Sequence, residues 1–107
     1  MNTVTNNETL CQTALAGLKF VDDPEIGLNV VDLGLIYEVN FDEAQKKVVC
    51  NMTLTTQFCP MGESIVENVT QSLQESFPES GIEVNLTFDP PWGYHCISEG
   101  GREFLNR

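Results

Sequence analysis

The feature that most constrains this chain is a change of apolar period between residues 35 and 88, from two to the helical repeat and back to two. Leu35, Tyr37, Val39 and Phe41 alternate with Ile36, Glu38 and Asn40; Val48, Cys50, Met52 and Leu54 alternate with Val49, Asn51, Thr53 and Thr55. A period of two puts one set of side chains on one face of a strand. The two runs are joined by the polar residues 42–46, so they read as a hairpin. Met61, Ile65, Val66, Val69 and Leu73 then recur at helical spacing, with Phe77 before Pro78 and Gly81. Ile82, Val84, Leu86 and Phe88 return to alternation and predict a third strand.

An opening helix precedes the hairpin. Thr5 and Glu8 have capping-box spacing, and Cys11, Ala14, Leu15 and Leu18 make one apolar stripe. The stripe should end before Asp22-Asp23-Pro24, because proline disfavours a helical residue in front of it. Residues 24–34 fit neither period and read as an ordered loop or a short irregular strand. Asp89-Pro90-Pro91-Trp92-Gly93 breaks the third strand, and Ser98 is placed to cap a short last helix, against which Gly100 and Gly101 count. The expected order is α-β-β-α-β with a terminal helix. That is an α/β (α+β) two-layer fold, a three-stranded mixed sheet with helices on one face, forming a single domain over residues 1–107.

Charge excludes some partners. Five Lys and Arg against sixteen Asp and Glu give a formal charge of -11. Phosphate backbones and anionic lipid are bound by cationic side chains, so nucleic acid and membrane surfaces are not expected partners. A cation or a basic protein surface suits this field, although excess acid also serves solubility. No secretory signal and no membrane-length apolar run is visible, so a cytoplasmic location is expected. A homodimer is compatible with a domain this small without being required.

Cysteines stand at 11, 50, 59 and 96, none in a C-x-x-C pair, so a structural zinc site is not indicated. Cys59 precedes Pro60 at the junction between the second strand and the second helix. Proline is favoured in a first helical turn, so the Cys59 sulfur is expected beside free N–H groups at a positive helix end, where a thiolate is favoured. Cys11 and Cys50 fall on apolar faces and read as small core residues. His95 and Cys96 offer an imidazole and a thiol suited to iron or zinc, while Asp22, Asp23, Glu25 and Asp32 offer hard oxygens or simply a solvated acidic loop. Trp92 is either a lid on the core or an anchor for a partner. No phosphate-cradling, dinucleotide-binding or nucleophile-elbow motif is present.

Taken in order, Asp23-Pro24-Glu25-Ile26, Asp32-Leu33-Gly34-Leu35-Ile36-Tyr37, Met52-Thr53-Leu54-Thr55 with Cys59-Pro60, Pro91-Trp92 and Ile97-Ser98-Glu99-Gly100-Gly101-Arg102 resemble the SufT/PaaD-like metal–sulfur cluster biosynthesis family. The likeness runs from about residue 9 to the C-terminus. It implies an iron–sulfur cluster assembly domain, in a family of maturation or targeting factors rather than established catalysts. Its reactive cysteine carries over to Cys59, and its Asp-Pro-Glu segment to Asp23 and Glu25. His95-Cys96 is outside the family pattern. The chain lacks the extensions of the PaaD subgroup and looks like a single-domain, SufT-like member. The resemblance implies a transient iron or iron–sulfur ligand at Cys59, with Asp23 and Glu25 as further candidate ligands; Cys96 and His95 are candidate ligands by donor type alone. Stable metal in the isolated protein is not required. The partners implied are iron–sulfur assembly proteins or apo-client proteins. Two alternatives stay open: a non-catalytic adaptor docking through the Trp92 segment, and an enzyme with Cys59 as nucleophile and His95 as base.

Overall fold

In the computed structural model, which describes residues 3–55 and 62–106, the hairpin of residues 35–55 lies at the centre of the sheet. Six strands and three α-helices follow in chain order: β1 (Val4–Thr5), α1 (Glu8–Leu18), β2 (Asp22–Asp23), β3 (Leu28–Asn29), β4 (Ile36–Asp42), β5 (Lys47–Met52), α2 (Gly62–Ser76), β6 (Gly81–Leu86) and α3 (Glu99–Leu105), with a 3-10 turn at Tyr94–Cys96. The main sheet runs β1-β4-β5-β6. β4 and β5 pair antiparallel, β6 lies parallel to β5, and β1 lies parallel to β4. The sheet is therefore mixed, as expected, but has four strands where three were predicted. β1 is two residues long, too short for any periodicity to reveal.

The predicted faces are visible in burial. On β5, Val48, Cys50 and Met52 are buried while Lys47, Val49 and Asn51 are half-exposed. On α2, Gly62, Ile65, Val69 and Leu73 turn inward, and on α1 Cys11, Ala14 and Leu18 do so. The helices cross closely at Gly17, where a Cβ would stand 3.0 Å from the Ser76 hydroxyl and 3.1 Å from that of Ser72. Both helices share one apolar core with β4 and β5. The other sheet face is polar, with Asn51 Nδ2 donating to Glu38 Oε1 at 2.7 Å and Asn85 Nδ2 to Asn51 Oδ1 at 3.1 Å.

Local detail departs from expectation at the α1 cap and at the start of β4, and agrees with it at residues 24–34 and at the last helix. Asn7, not Thr5, caps α1, its Oδ1 accepting from Leu10 N–H at 3.1 Å; the Thr5 hydroxyl instead accepts from Asn7 N–H at 3.1 Å, so the Thr5–Glu8 capping box is not the cap. Residues 24–34 contain a turn of the small β2–β3 hairpin, in which Asp22 faces Asn29 and Asp23 faces Leu28. At its start β4 is buried on both sides, at Ile36 and Tyr37, around an irregularity in its register with β5. The last helix forms despite its glycines, because the Ser98 hydroxyl accepts from Gly101 N–H at 3.0 Å.

Candidate functional site

Four of the five sequence segments that carry the family likeness converge at one end of the sheet. The turn before β4 is tight: Gly34 has φ +77°, a conformation open to glycine at little cost. The backbone of Cys96 packs against it so closely that a Cβ on Gly34 would lie 2.1 Å from the Cys96 carbonyl oxygen. Residues 90–98 thus form a strap over residues 32–37. Four hydrogen bonds hold it: Tyr37 Oη to Pro90 O at 2.9 Å, Trp92 Nε1 to Leu33 O at 2.7 Å, Ser98 N–H to Asp32 O at 2.7 Å, and Ser98 Oγ to Asp32 Oδ1 at 2.9 Å. Trp92 is therefore half-buried and its N–H is satisfied within the fold, while Tyr94 beside it is 56% exposed.

The end of β5 joins the same cluster. Thr53 N–H donates to Leu35 O at 2.9 Å, and its side chain is fully buried. Burial raises the Tyr37 phenol above its ordinary value, with a further push from the Cys96 thiol, against a hydrogen bond with Thr53. Tyr37, Thr53 and Cys96 are thus neighbours. The β2–β3 hairpin reaches this end through Leu28, whose Cδ2 would lie 2.9 Å from a Cβ on Gly101 of α3.

Asp32 anchors the cluster electrostatically. Burial alone would raise its carboxyl, but hydrogen bonds from Asn29 (2.7 Å) and Ser98 (2.9 Å), with the charge of Lys19, hold it below the usual carboxylate range. A carboxylate accepting such bonds favours its charged form. Its backbone N–H also receives help, donating to Asn29 Oδ1 at 2.9 Å.

The predicted ligands fare differently. Cys96 is buried and His95 exposed, and the sulfur lies 3.6 Å from His95 Nε2, so adjacent residues do meet here through the 3-10 turn. An extended segment would have pointed them apart. Asp23 is 1% exposed and closes the β2–β3 turn: Oδ1 accepts from Glu25 N–H at 2.9 Å, and its carbonyl accepts from Gly27 N–H at 2.7 Å. Glu25 is exposed. Among the described residues no group of three or more His, Cys, Asp or Glu is placed to hold a metal. Cys59, with Pro60, lies outside the described residues. The flanks of that segment are in place: Leu54 is buried, and its Cδ1 would stand 2.8 Å from a Cβ on Gly62 of α2.

Cys11 and Cys50 are core residues, as expected. Burial raises the Cys11 thiol, and pushes Cys50 up to about 12 with a contribution from Cys11. Sequence reasoning passed over Tyr37 and Thr53 as site residues; the available signal was a polar residue inside an otherwise apolar strand end. No helix among the described residues is long and apolar enough to cross a membrane.

Comparison with known proteins adds the remaining information. Residues 12–86 match the family model described as iron-sulfur cluster assembly protein. The chain is 44% identical over 78 residues, 73% of its length, to the Fe-S protein maturation auxiliary factor SufT of Staphylococcus aureus, covering 88% of that protein. It is 42% identical over 82 residues to an Fe-S protein maturation auxiliary factor of Porphyromonas gingivalis, covering 77% of each. Among solved structures, a domain of unknown function from Bacillus anthracis superposes with a TM-score of 0.86 at 38% identity, covering 92% of this chain and 93% of that one.

Proposed function

Because this chain belongs to the iron-sulfur cluster assembly protein family, we propose that it is an accessory factor in the maturation of iron–sulfur proteins, with Cys59 as the transient ligand for iron or a cluster edge. The observation that carries the reading is the family match over residues 12–86, which includes Cys59 and the turn of residues 32–37 over which the strap of residues 90–98 lies. The iron or cluster is cargo rather than a resident cofactor.

The chemistry follows from the donor types. A thiolate is the soft ligand that iron–sulfur chemistry selects, and binding requires the sulfur to be deprotonated. Buried thiols such as Cys50, pushed up to about 12, are poorly suited to this task. Cys96 with His95, and the carboxylates of Asp23 and Glu25, are secondary donors. Asp23 would have to keep its turn while lending an oxygen. Few protein ligands favour hand-over, because the acceptor can complete the coordination shell as the donor lets go. The recipients are apo-client proteins or other assembly proteins, in keeping with the names of the relatives.

The test is genetic. In a strain lacking the gene, the unaltered protein restores the activity of a cluster-dependent enzyme, and Cys59→Ser restores little. Full rescue by Cys59→Ser would remove the assigned role.

A further inference from the structure

The sheet order ends on β6, and among the described residues nothing pairs with its outer edge. All six of its residues are exposed or half-buried, whereas β5 buries every second one. Two hydrogen bonds fix which backbone groups face inward. Gly81 N–H donates to Lys46 O and Thr87 N–H to Met52 O, each at 2.8 Å. Backbone direction alternates along a parallel pair, so Gly81, Glu83, Asn85 and Thr87 address β5. Ile82, Val84 and Leu86 therefore present their N–H and C=O groups outward. Natural edge strands are blunted by lysine, proline, a bulge or shortness. β6 has none of these: its register runs unbroken from Lys47↔Gly81 to Met52↔Leu86, and its sequence is Gly-Ile-Glu-Val-Asn-Leu.

Charge says what such an edge would take. Between Lys47 and Arg102 the sequence has seven acids and no Lys or Arg. Glu79, Glu83 and Asp89 bracket β6, and Lys47 is already paired with Glu83 at 2.7 Å. A second copy of β6 would set these carboxylates against their own counterparts, which disfavours self-pairing. A cationic strand gains from the same field. Side-chain parity adds a pattern: Val84 and Leu86 face the helix side, Leu86 44% exposed, while Glu83 faces the polar side.

We propose that the outer edge of β6 docks an extended segment of a partner protein, alternating apolar with Lys or Arg residues, which adds to the sheet as a fifth strand. Its backbone pairs with Ile82, Val84 and Leu86, its apolar side chains lie beside Val84 and Leu86, and its cations lie on the side of Glu83. Main-chain pairing supplies affinity and the alternate side chains supply selectivity. The site is independent of what Cys59 binds.

The probe is a synthetic peptide of about nine residues alternating Val and Lys, long enough for one strand. Isotope-labelled full-length protein is titrated and followed by amide shifts and hydrogen exchange. Slowed exchange at Ile82, Val84 and Leu86, with affinity falling as salt rises, is expected. Methylating the peptide's pairing amides should weaken binding by about tenfold or more, since each lost bond is worth up to a factor of that order. Val84→Pro should do the same by removing one outward N–H; the methylated peptide tests the same point on unaltered protein should that variant not fold. No binding at about 1 mM, shifts centred away from β6, equal binding of a Val/Glu peptide, or a dimer formed through β6 would each overturn the proposal.

Discussion

Replacing Gly34 with alanine should be among the most damaging small substitutions in this chain, and Gly27→Ala provides its internal control. Both glycines have positive φ, +77° and +80°. An L-residue in that region costs roughly 1–2 kcal/mol, and the unfolded-state gain from Gly→Ala is shared by both variants. The surroundings differ. Nothing lies within 4 Å of a Cβ on Gly27, but one on Gly34 would sit 2.1 Å from the Cys96 carbonyl oxygen and 2.7 Å from its carbon. These are backbone atoms, tied down by the adjacent Ser98–Asp32 bond at 2.7 Å and the Trp92–Leu33 bond at 2.7 Å. Overpacking of this kind costs about 1–3 kcal/mol, and each strap bond broken to relieve it about 1 kcal/mol. Gly34→Ala should therefore lose about 3–5 kcal/mol in all, against about 1–2 kcal/mol for Gly27→Ala. Urea unfolding reads the difference. With a slope of about 1–3 kcal/mol per molar, the midpoints of the two variants should separate by roughly 1 M. Equal shifts in both variants would show that the strap does not bear on Gly34.

Other outcomes follow from the same geometry. The folded-state pKa of Asp32 is depressed, so its contribution is present above the ordinary carboxylate value near 3.9 and is lost as pH falls through the lower folded value; the stability gap between the unaltered protein and Asp32→Asn, from urea midpoints, should be constant above about pH 5 and close below about pH 4. Lys46 holds φ 51° at the β4–β5 turn, so Lys46→Gly should raise the melting temperature by a few degrees in calorimetry, while a lower value would show that the turn tolerates a side chain without strain. Cys11, Cys50 and Cys96 are buried, so brief maleimide treatment of native protein should label one thiol by mass spectrometry, and Cys59→Ser should abolish it; labelling of Cys50 would contradict its burial.

The parts legible in the sequence are those set by a strong period. The β4–β5 hairpin, α2 and the inward faces of β5 follow from runs in which five or more residues repeat one pattern, and such runs bury one face whatever else surrounds them. β1 was invisible because two residues carry no period; it is held by tertiary pairing of Val4 with Glu38 and Thr5 with Val39. The α1 cap differs from the capping-box expectation because the helix starts two residues later: Asn7 Oδ1 accepts from Leu10 N–H, while the Thr5 hydroxyl is used by Asn7 N–H. At the site, Trp92 and Ser98 stood out by residue type and Gly34 only as part of a family-like segment, but their meeting did not. It depends on contacts across 66 residues of sequence, such as Ser98 with Asp32, that no local pattern encodes. The approach of His95 Nε2 to the Cys96 sulfur at 3.6 Å depends on the 3-10 turn, which the residue types alone do not announce.

Anaerobic titration with ferrous iron tests the role of Cys59 most directly, reading thiolate-to-iron absorption and metal retained after desalting, on the unaltered protein, Cys59→Ser and Cys96→Ser. Uptake by the unaltered protein that disappears in Cys59→Ser and is at most weakened in Cys96→Ser is the expected result. Identical uptake by the unaltered protein and Cys59→Ser would contradict it.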